Sequence, residues 1–405
     1  MSVVITGIGA VTPLGIGVRA TWDAVLRSRN AVAPIQRFDA SAFPVTFAAE
    51  APDPGHPEDP SGLPPGALQD LKGRLAFAAA SEAIAMAGLT TSGPRVGVCV
   101  GSEAARPPLA DFAERMADGQ LPGPEALARL APGAPTRLVA AMVGAEGPMS
   151  TISTACTSSS QAIGEGLLRI RRGEVDVMIV GGVDVLVDPI MLTGFARLGA
   201  LSTRNDAPAS ASRPFDLDRD GFVLGEGAGF MVIESEDHAR GRGATMLGRL
   251  SGFGCSANAY RITDSPPDGR GARQSMQAAL KDAGLTPEDI GYINAHGTST
   301  QMNDASETQG ILHAFGDAAQ RTPVSSTKSM MGHLVAACGA VEAILCLLAT
   351  REGVLPPTLN LDRPDPACDL HHVPKDARQQ AVRHAMTNAF GFGGSNGTLI
   401  VSRMP

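Results

Sequence analysis

Nowhere in this 405-residue chain do eighteen apolar residues follow one another, so no segment offers the apolar length that a membrane-crossing helix requires. The sequence opens MSVVITGIGAVTPLG, without the basic stretch and long apolar core of a secretory leader, and the expected location is the cytoplasm, with no membrane insertion. The six cysteines (99, 156, 255, 338, 346 and 368) form no CxxC pair. A chain this long does not need stapling, so neither a disulfide framework nor a metal site is expected. Basic runs with interleaved aromatics are also missing: the net charge is -8, aromatic residues make up 4%, and acids and bases are interspersed. Nucleic acid is therefore not an expected partner. An acidic protein partner would need a local basic patch, for which Arg169, Arg171 and Arg172 are the candidates. No short-period repeat or heptad run occurs.

What is present is a chain 43% hydrophobic, enough for a large core and two domain-sized units. Strand-like runs at 3–8, 95–101, 148–155, 175–182 and 229–235 alternate with Ala-rich helical stretches such as LKGRLAFAAASEAIAMAGL. A second series follows a Gly/Arg-rich passage near 239–245: GRLSGFGCS, a helix from about Arg273 to Ala283, IGYINAHG, PVSSTK, a helix from about Leu334 to Ala349, and a Gly-rich strand end AFGFGGSNGTLIVS. This alternation predicts an α/β fold of layered sheets and helices, with an N-terminal half over 1–245 and a C-terminal half over 246–405. The Pro/Gly-rich stretch 51–66 reads as surface loop, and within 104–135 DFAERMA and PEALARL suit short helices.

The most informative segment is PMSTISTACTSSSQAIGEGLLRIRRG, in which a β-type run ends at Cys156 and a helix opens behind it. A thiol at a helix N-terminus sits at the positive end of the dipole, which is expected to lower its pKa from roughly 8.5 toward neutrality. Thr157, Ser158, Ser159 and Ser160 are expected to leave room for a substrate. Cys99, Cys338 and Cys346, among apolar neighbours, read as small buried hydrophobes. A thiolate that forms thioesters needs a partner for protons or oxyanion charge. His296 in INAHGTSTQMND and His333 in SSTKSMMGHLVAACGAVE stand in matching Gly- and hydroxyl-rich settings, with Lys328 five residues before His333. His56, His238, His313, His371, His372 and His384 read as exposed bystanders. The loop NAFGFGGSNGT (388–398) has glycines that let backbone N–H groups approach a ligand.

Two look-alikes fail. From Gly7, a dinucleotide fingerprint would need Gly where Thr12 stands. A calcium loop starting at Asp216 in DLDRDG would need Glu where Gly227 stands.

Taken together, TACTSSS at Cys156, NAHGTST at His296, STKSMMGH ending at His333, SRPFDLDRDGFVLGEGAG (212–229) and FGFGGSN near the C-terminus resemble the 3-oxoacyl-[acyl-carrier-protein] synthases, the beta-ketoacyl synthases of the thiolase-like superfamily. The resemblance spans nearly the whole chain. It implies two similar βαβ halves stacked as a five-layered α-β-α-β-α core, dimerised through a strand near the nucleophile. It also implies that Cys156 carries an acyl group, with the backbone N–H groups of Cys156 and Phe392 as oxyanion hole. His296 and His333 would hold the malonyl thioester oxygen during decarboxylation. Lys328 would organise the site electrostatically through Glu342, Thr298 and Thr300 would bind the phosphopantetheine arm, and Phe392 would gate the two half-reactions, with Phe390, Gly391, Gly393 and Gly394 supporting. The partner implied is an acyl carrier protein, which brings the phosphopantetheine; no other cofactor and no metal is implied.

The stretch 104–135 departs from the longer, aromatic-containing segment of the family, and Met331 and Cys338 stand near His333 where smaller residues are frequent. These departures point to a type II polyketide or polyene ketosynthase rather than general fatty acid synthesis. A degradative thiolase would carry a second cysteine where Gly393, Gly394 and Ser395 stand, and a plant-type chalcone synthase would pair its cysteine with one His and an Asn. A catalytically silent chain-length factor would lack Cys156. Homodimer and heterodimer with such a factor both remain open at this point.

Overall fold

In the computed structural model, which describes residues 1–57, 62–105, 109–120 and 123–405, ten principal strands fall into two sets. The first comprises β1 (Val3–Thr12), β2 (Val96–Gly101), β3 (Met149–Ile152), β4 (Val177–Asp184) and β5 (Gly227–Ser235). The second comprises β6 (Gly248–Ala257), β7 (Ile290–Asn294), β8 (Val324–Ser325), β9 (His384–Phe390) and β10 (Ser395–Ser402). Within the first set the spatial order is β1-β5-β4-β2-β3, and within the second it is β6-β10-β9-β7-β8. Strand directions match too. The last strand of each set runs antiparallel to both its neighbours, and the second, third and fourth run parallel. The same topology thus occurs twice, and the two sheets join through the pairs Val4–Arg249 and Ile5–Gly248.

Five labelled helices complete the layers: α1 (Leu71–Ala87), α2 (Ser158–Arg171), α3 (Arg270–Ala283), α4 (Gln301–Phe315) and α5 (Cys338–Glu352). α1 covers β1 and β5 on one outer face; α3 covers β6 and β10 on the other, with α4 packed on α3. Between the sheets, α2 and α5 touch strands of both sets and each other. Helix, sheet, helix pair, sheet and helix make the five layers of the thiolase-like α/β fold. α5 is buried from Cys338 to Thr350, as expected of a helix apolar on all sides.

Local sequence explains the close packing. Asp70 caps α1 by accepting the Gly73 N–H at 2.7 Å, and Gly88 ends the helix in the left-handed region. The glycines that mimic a nucleotide fingerprint are steric: a Cβ on Gly9 would lie 1.9 Å from the Ala79 carbonyl oxygen, and one on Gly7 2.0 Å from that of Ala83. They let α1 lie against β1. In the false calcium motif, Asp216 is fully buried and accepts hydrogen bonds from Arg213 and from the backbone N–H groups of Asp218, Asp362 and Arg363.

Three elements differ from expectation. The C-terminal Gly-rich segment is two strands joined by a tight turn, because Gly393 and Gly394 both adopt φ +82. The helix read from about Leu334 starts at Cys338, after a 3-10 turn over Val335–Ala337. α4 was not read at all; its signal is Thr300, whose side chain caps the helix by accepting the Asn303 N–H. Short helices at Leu109–Ala117 and Pro124–Leu130 match DFAERMA and PEALARL. The loop reading of 58–61 and the readings at 106–108 and 121–122 lie outside the described residues.

Candidate active site

β3 leads into a short 3-10 turn, Ala155–Thr157, that carries Cys156 to the N-terminus of α2. β7 ends two residues before His296, and β8 leads through the short helix Lys328–Met331 to His333. Because the two sheets pack with their C-terminal strand ends together, the three side chains converge. His333 Nε2 lies 2.9 Å from Cys156 Sγ, and the ligating atoms of Cys156, His296 and His333 all fall within 4.8 Å of one another. The two imidazole rings meet edge to face, 5.2 Å between centroids. Among the described residues this trio is also the one group able to hold a metal ion, since a thiolate and two imidazoles suit zinc.

The electrostatics correct one expectation. The thiol is not brought toward neutrality: burial pushes Cys156 up to about 12, against the opposing effects of Lys328 and the backbone N–H groups of Phe392 and Cys156. Desolvation outweighs the helix dipole in a site this enclosed. The backbone groups singled out from the sequence do converge on the sulfur. Both histidines are held well below 6.5, by burial first and then by the Lys328 charge, so both are neutral at physiological pH. Lys328 is fully buried and ion-paired with Glu342. Burial alone would lower the Lys328 pKa, yet Glu342, joined by Cys338 and Glu307, more than offsets this and keeps the ammonium charged.

A cavity of about 410 Å³ opens onto the trio, lined in part by Thr298, Thr300, Phe390, Gly391 and Phe392. Thr298 and Thr300 hydroxyls are 3.0 Å apart at the start of α4. Gly391 is required by proximity: a Cβ there would lie 2.9 Å from the Thr154 carbonyl oxygen and 3.3 Å from the Cys156 nitrogen. Gly393 and Gly394 form the turn behind it. Neither Met331 nor Cys338 lines the cavity, where Val335 stands instead. Cys338 is nonetheless close, donating its S–H to the Cys156 carbonyl at 3.2 Å. Thr157 to Ser160 do not leave room for substrate. They are buried, with Ser159 Oγ accepting the Ala340 N–H and Ser160 packed on Gly339.

Other readings change as well. Arg169, Arg171 and Arg172 lie at the far end of α2, about 20 Å from Cys156 at 1.5 Å per residue. They pair with Glu165, Glu174 and Asp282, so they are not a free basic patch. Of the supposed bystander histidines, His238 bonds Glu234 at 2.7 Å, His372 bonds the Cys368 carbonyl at 2.8 Å and His384 bonds Ser402 at 2.7 Å. His371 bonds the Arg321 carbonyl. These four are structural, and none lines the cavity.

Sequence reasoning missed several residues around the site. Phe222 stands edge to face on His333 at 5.5 Å, and Phe195 packs on Phe222 and Phe392. Glu307, buried, accepts the backbone N–H groups of His296 and Gly297, each at 2.8 Å, and the side-chain amide of Asn388. Ser395 ties the glycine turn to the Cys156 turn through Thr157 and Gln161. Glu307 sits eleven residues beyond His296 on α4; without that helix nothing marks it.

The family model described as "Beta-ketoacyl synthase, N-terminal domain" matches residues 1–239, and "Beta-ketoacyl synthase, C-terminal domain" matches 247–362. This chain belongs to the beta-ketoacyl synthase family. Among curated relatives, the 3-oxoacyl-[acyl-carrier-protein] synthase 2 of Coxiella burnetii is 43% identical, over 99% of this chain and 98% of its own, and that of Synechocystis is 40% identical over 98% and 97%. Among solved structures, a beta-ketoacyl synthase from Burkholderia phymatum superposes with a TM-score of 0.89 at 34% identity, each chain fully covered. A type II PKS ketosynthase, solved with its acyl-carrier protein and bound to the hexaketide, also gives 0.89, at 31% identity over 100% of this chain and 99% of that one. These beta-ketoacyl synthases share the fold along its whole length.

Proposed function

We propose that this chain is a condensing enzyme that takes an acyl group onto Cys156 and extends it by decarboxylative Claisen condensation with a malonyl thioester borne by an acyl carrier protein. The observation that carries this reading is the 2.9 Å contact between Cys156 Sγ and His333 Nε2, beside His296 and under two backbone N–H groups. In the first half-reaction the Cys156 thiol gives its proton to the neutral His333 as sulfur attacks the incoming thioester. The N–H groups of Cys156 and Phe392 take the oxyanion, and the carrier thiol leaves with the proton. In the second, loss of carbon dioxide from the malonyl group leaves an enolate, whose oxygen is held by N–H donors of His296 and of His333, the latter now as the neutral tautomer with its hydrogen on Nε2. The enolate carbon attacks the Cys156 thioester, the carbon–sulfur bond breaks, and sulfur leaves as a thiolate that takes up one proton from solvent to regenerate the cysteine. Lys328, paired with Glu342, keeps both imidazoles neutral; Thr298 and Thr300 hold the phosphopantetheine arm, and Phe392 gates the cavity with Phe390, Gly391, Gly393 and Gly394 behind it. No other cofactor is needed, and a metal on the trio would block the sulfur.

Two observations bear on the pathway. The departures over 104–135 support a specialised polyketide or polyene role, whereas the relatives named 3-oxoacyl-[acyl-carrier-protein] synthase 2 support fatty acid extension. The silent-subunit and degradative readings are weaker, because nucleophile and both histidines are assembled and Cys156 is the sole cysteine lining the cavity among the described residues. We place the protein in the cytoplasm; no helix among the described residues is long and apolar enough to cross a membrane.

Intact-protein mass spectrometry after incubation with a panel of acyl carrier thioesters tests the reading. The wild type should gain one acyl mass, Cys156→Ala none, and the best primer separates long linear chains from polyketide starters. No adduct with any primer, alone or with a co-expressed partner chain, would overturn the nucleophile assignment.

A further inference from the structure

Behind the nucleophile lies a polar cluster that the condensation chemistry does not use. Lys72, from the first turn of α1, donates to the Glu103 backbone carbonyl and to Asp184 Oδ1 at 3.2 Å. Lys72 is 5% exposed and Asp184 fully buried. The other Asp184 oxygen accepts the Ala336 N–H at 3.3 Å. The Glu103 carboxylate turns toward the nucleophile: Oε1 accepts the Ala155 N–H at 3.1 Å and the Ser158 hydroxyl at 3.4 Å, and Oε2 accepts the Ser153 hydroxyl at 2.8 Å.

Both backbone turns reached by this cluster are strained. Ala155, immediately before Cys156, has φ +51, and Val335, immediately before Ala336, has φ +45. Residues with a Cβ pay about 1 kcal/mol or more in this region and stay there only when their surroundings hold them. Each strained turn has one N–H taken by one carboxylate, Glu103 for the first and Asp184 for the second, and Lys72 bridges the two.

The duplicated topology gives these residues counterparts. The strained turn before α2 matches the strained turn before α5, so Cys156 and Ala336 are equivalent. Glu103 stands two residues beyond β2, as His296 stands two beyond β7. Ser153 precedes Cys156 by three residues, as His333 precedes Ala336. In the first half, Glu103 and Ser153 therefore occupy the places that the two histidines occupy in the second, and they hydrogen-bond each other.

We propose that the Lys72–Asp184–Glu103 cluster is a positioning device that fixes the two strained turns relative to each other, with Glu103 setting the Cys156 sulfur against His333 through the Ala155 backbone. Glu103 is a positioning residue that touches no reacting atom. The inference rests on Cys156 being the nucleophile.

E103A and E103Q both remove the charge, but the glutamine keeps one oxygen able to accept the Ala155 N–H. Lys72 keeps its contact in both, since it uses the backbone carbonyl of residue 103. Acylation of Cys156 should be about tenfold slower in E103A than in E103Q, corresponding to one lost hydrogen bond, with KM for the acyl carrier thioester equal in the two. Alkylation of Cys156 by iodoacetamide, which needs no condensing activity, should show the same ranking. Equal alkylation rates in the two folded variants overturn the positioning role, whatever the acylation result. The predicted ranking in alkylation with no acylation in any form would retain the positioning and remove the condensing-enzyme reading. If E103A does not fold, E103D carries the test: its carboxylate is one methylene too short to reach the Ala155 N–H, and an alkylation rate equal to that of E103Q overturns the proposal.

Discussion

Glu307 lies outside the Cys156–His296–His333 trio but holds the loop that carries His296. Burial pushes its carboxyl up to about 7, against the backbone donors Gly297 and His296. When ionised, both its oxygens accept those N–H groups and fix the loop that carries His296. When protonated, one oxygen faces an N–H with a hydrogen of its own, and the loop loosens. Condensation should therefore rise with pH through about 7. E307Q imposes the protonated arrangement at every pH, so its rate at pH 8 should be lower by about tenfold, equivalent to one unsatisfied buried group, and its acid limb should vanish. An acid limb retained near 7 in E307Q would move the titration to Glu342, which burial also raises to about 7. Stability runs the other way. The folded state holds the Glu307 proton more tightly than the unfolded chain does, so that contribution is full below the unfolded value of about 4.5 and lost as pH rises through about 7. Thermal melts between pH 5 and 8 should decline in the wild type and decline less steeply in E307Q, where Glu342, also raised to about 7, still contributes.

At the scale of elements, close approach of helix to strand decides the fold, and glycine makes it possible. Gly9 faces the Ala79 carbonyl oxygen of α1, where a methyl would sit at 1.9 Å. That atom is helix backbone, so it cannot swing away. G9A should lower the unfolding free energy by about 3 kcal/mol, at the upper end of overpacking costs, read from the denaturant midpoint at unchanged slope. A loss under about 1 kcal/mol would mean that α1 shifts freely. β6 repeats the device, with Gly254 against the Ser275 carbonyl oxygen of α3. The sequence carried the period of these strands and helices well, because strands such as β1 and β4 are buried along their whole length and mostly apolar. It also marked Cys156, His296 and His333, because reactive side chains at strand ends sit among small residues that sterics require. What it did not carry was long-range: Glu307 and Glu103 are ordinary acids until the chain folds, and α4 has too little amphipathic contrast to announce itself. The thiol's pKa failed for the same reason, since a helix dipole is local and visible while burial belongs to the whole fold. His372 reads as surface for the same reason, since Phe215, on which it stacks at 4.9 Å, lies far away in the chain.

For the whole molecule, the two matching halves differ at their outer strands. Strand β8 is two residues long, leaving little edge to pair. β3 closes the opposite edge with four residues, and Met149 is 53% exposed. The carbonyls of Pro148 and Ile152 accept from Val98 and Ser102 on the inner side. The alternate residues Met149 and Thr151 therefore turn their backbone groups outward, where no described strand meets them. An open strand edge is a template for a second strand, and this one leads directly into the Cys156 turn. Pairing two chains there would extend the sheet across both and bury the approach to both nucleophiles' supporting loops. M149P removes one outward N–H and leaves the inner ladder intact, a placement an edge strand tolerates. If two copies pair about a twofold axis at this edge, the change counts twice, and their dissociation constant should rise by at least about tenfold. Light scattering across a dilution series reads that constant, and melts at high concentration check the fold. A wild-type constant in M149P, for the homodimer and for a complex with any co-expressed partner chain, would place the interface elsewhere. Loss of pairing together with slower Cys156 acylation would show that the edge contact also steadies the nucleophile turn.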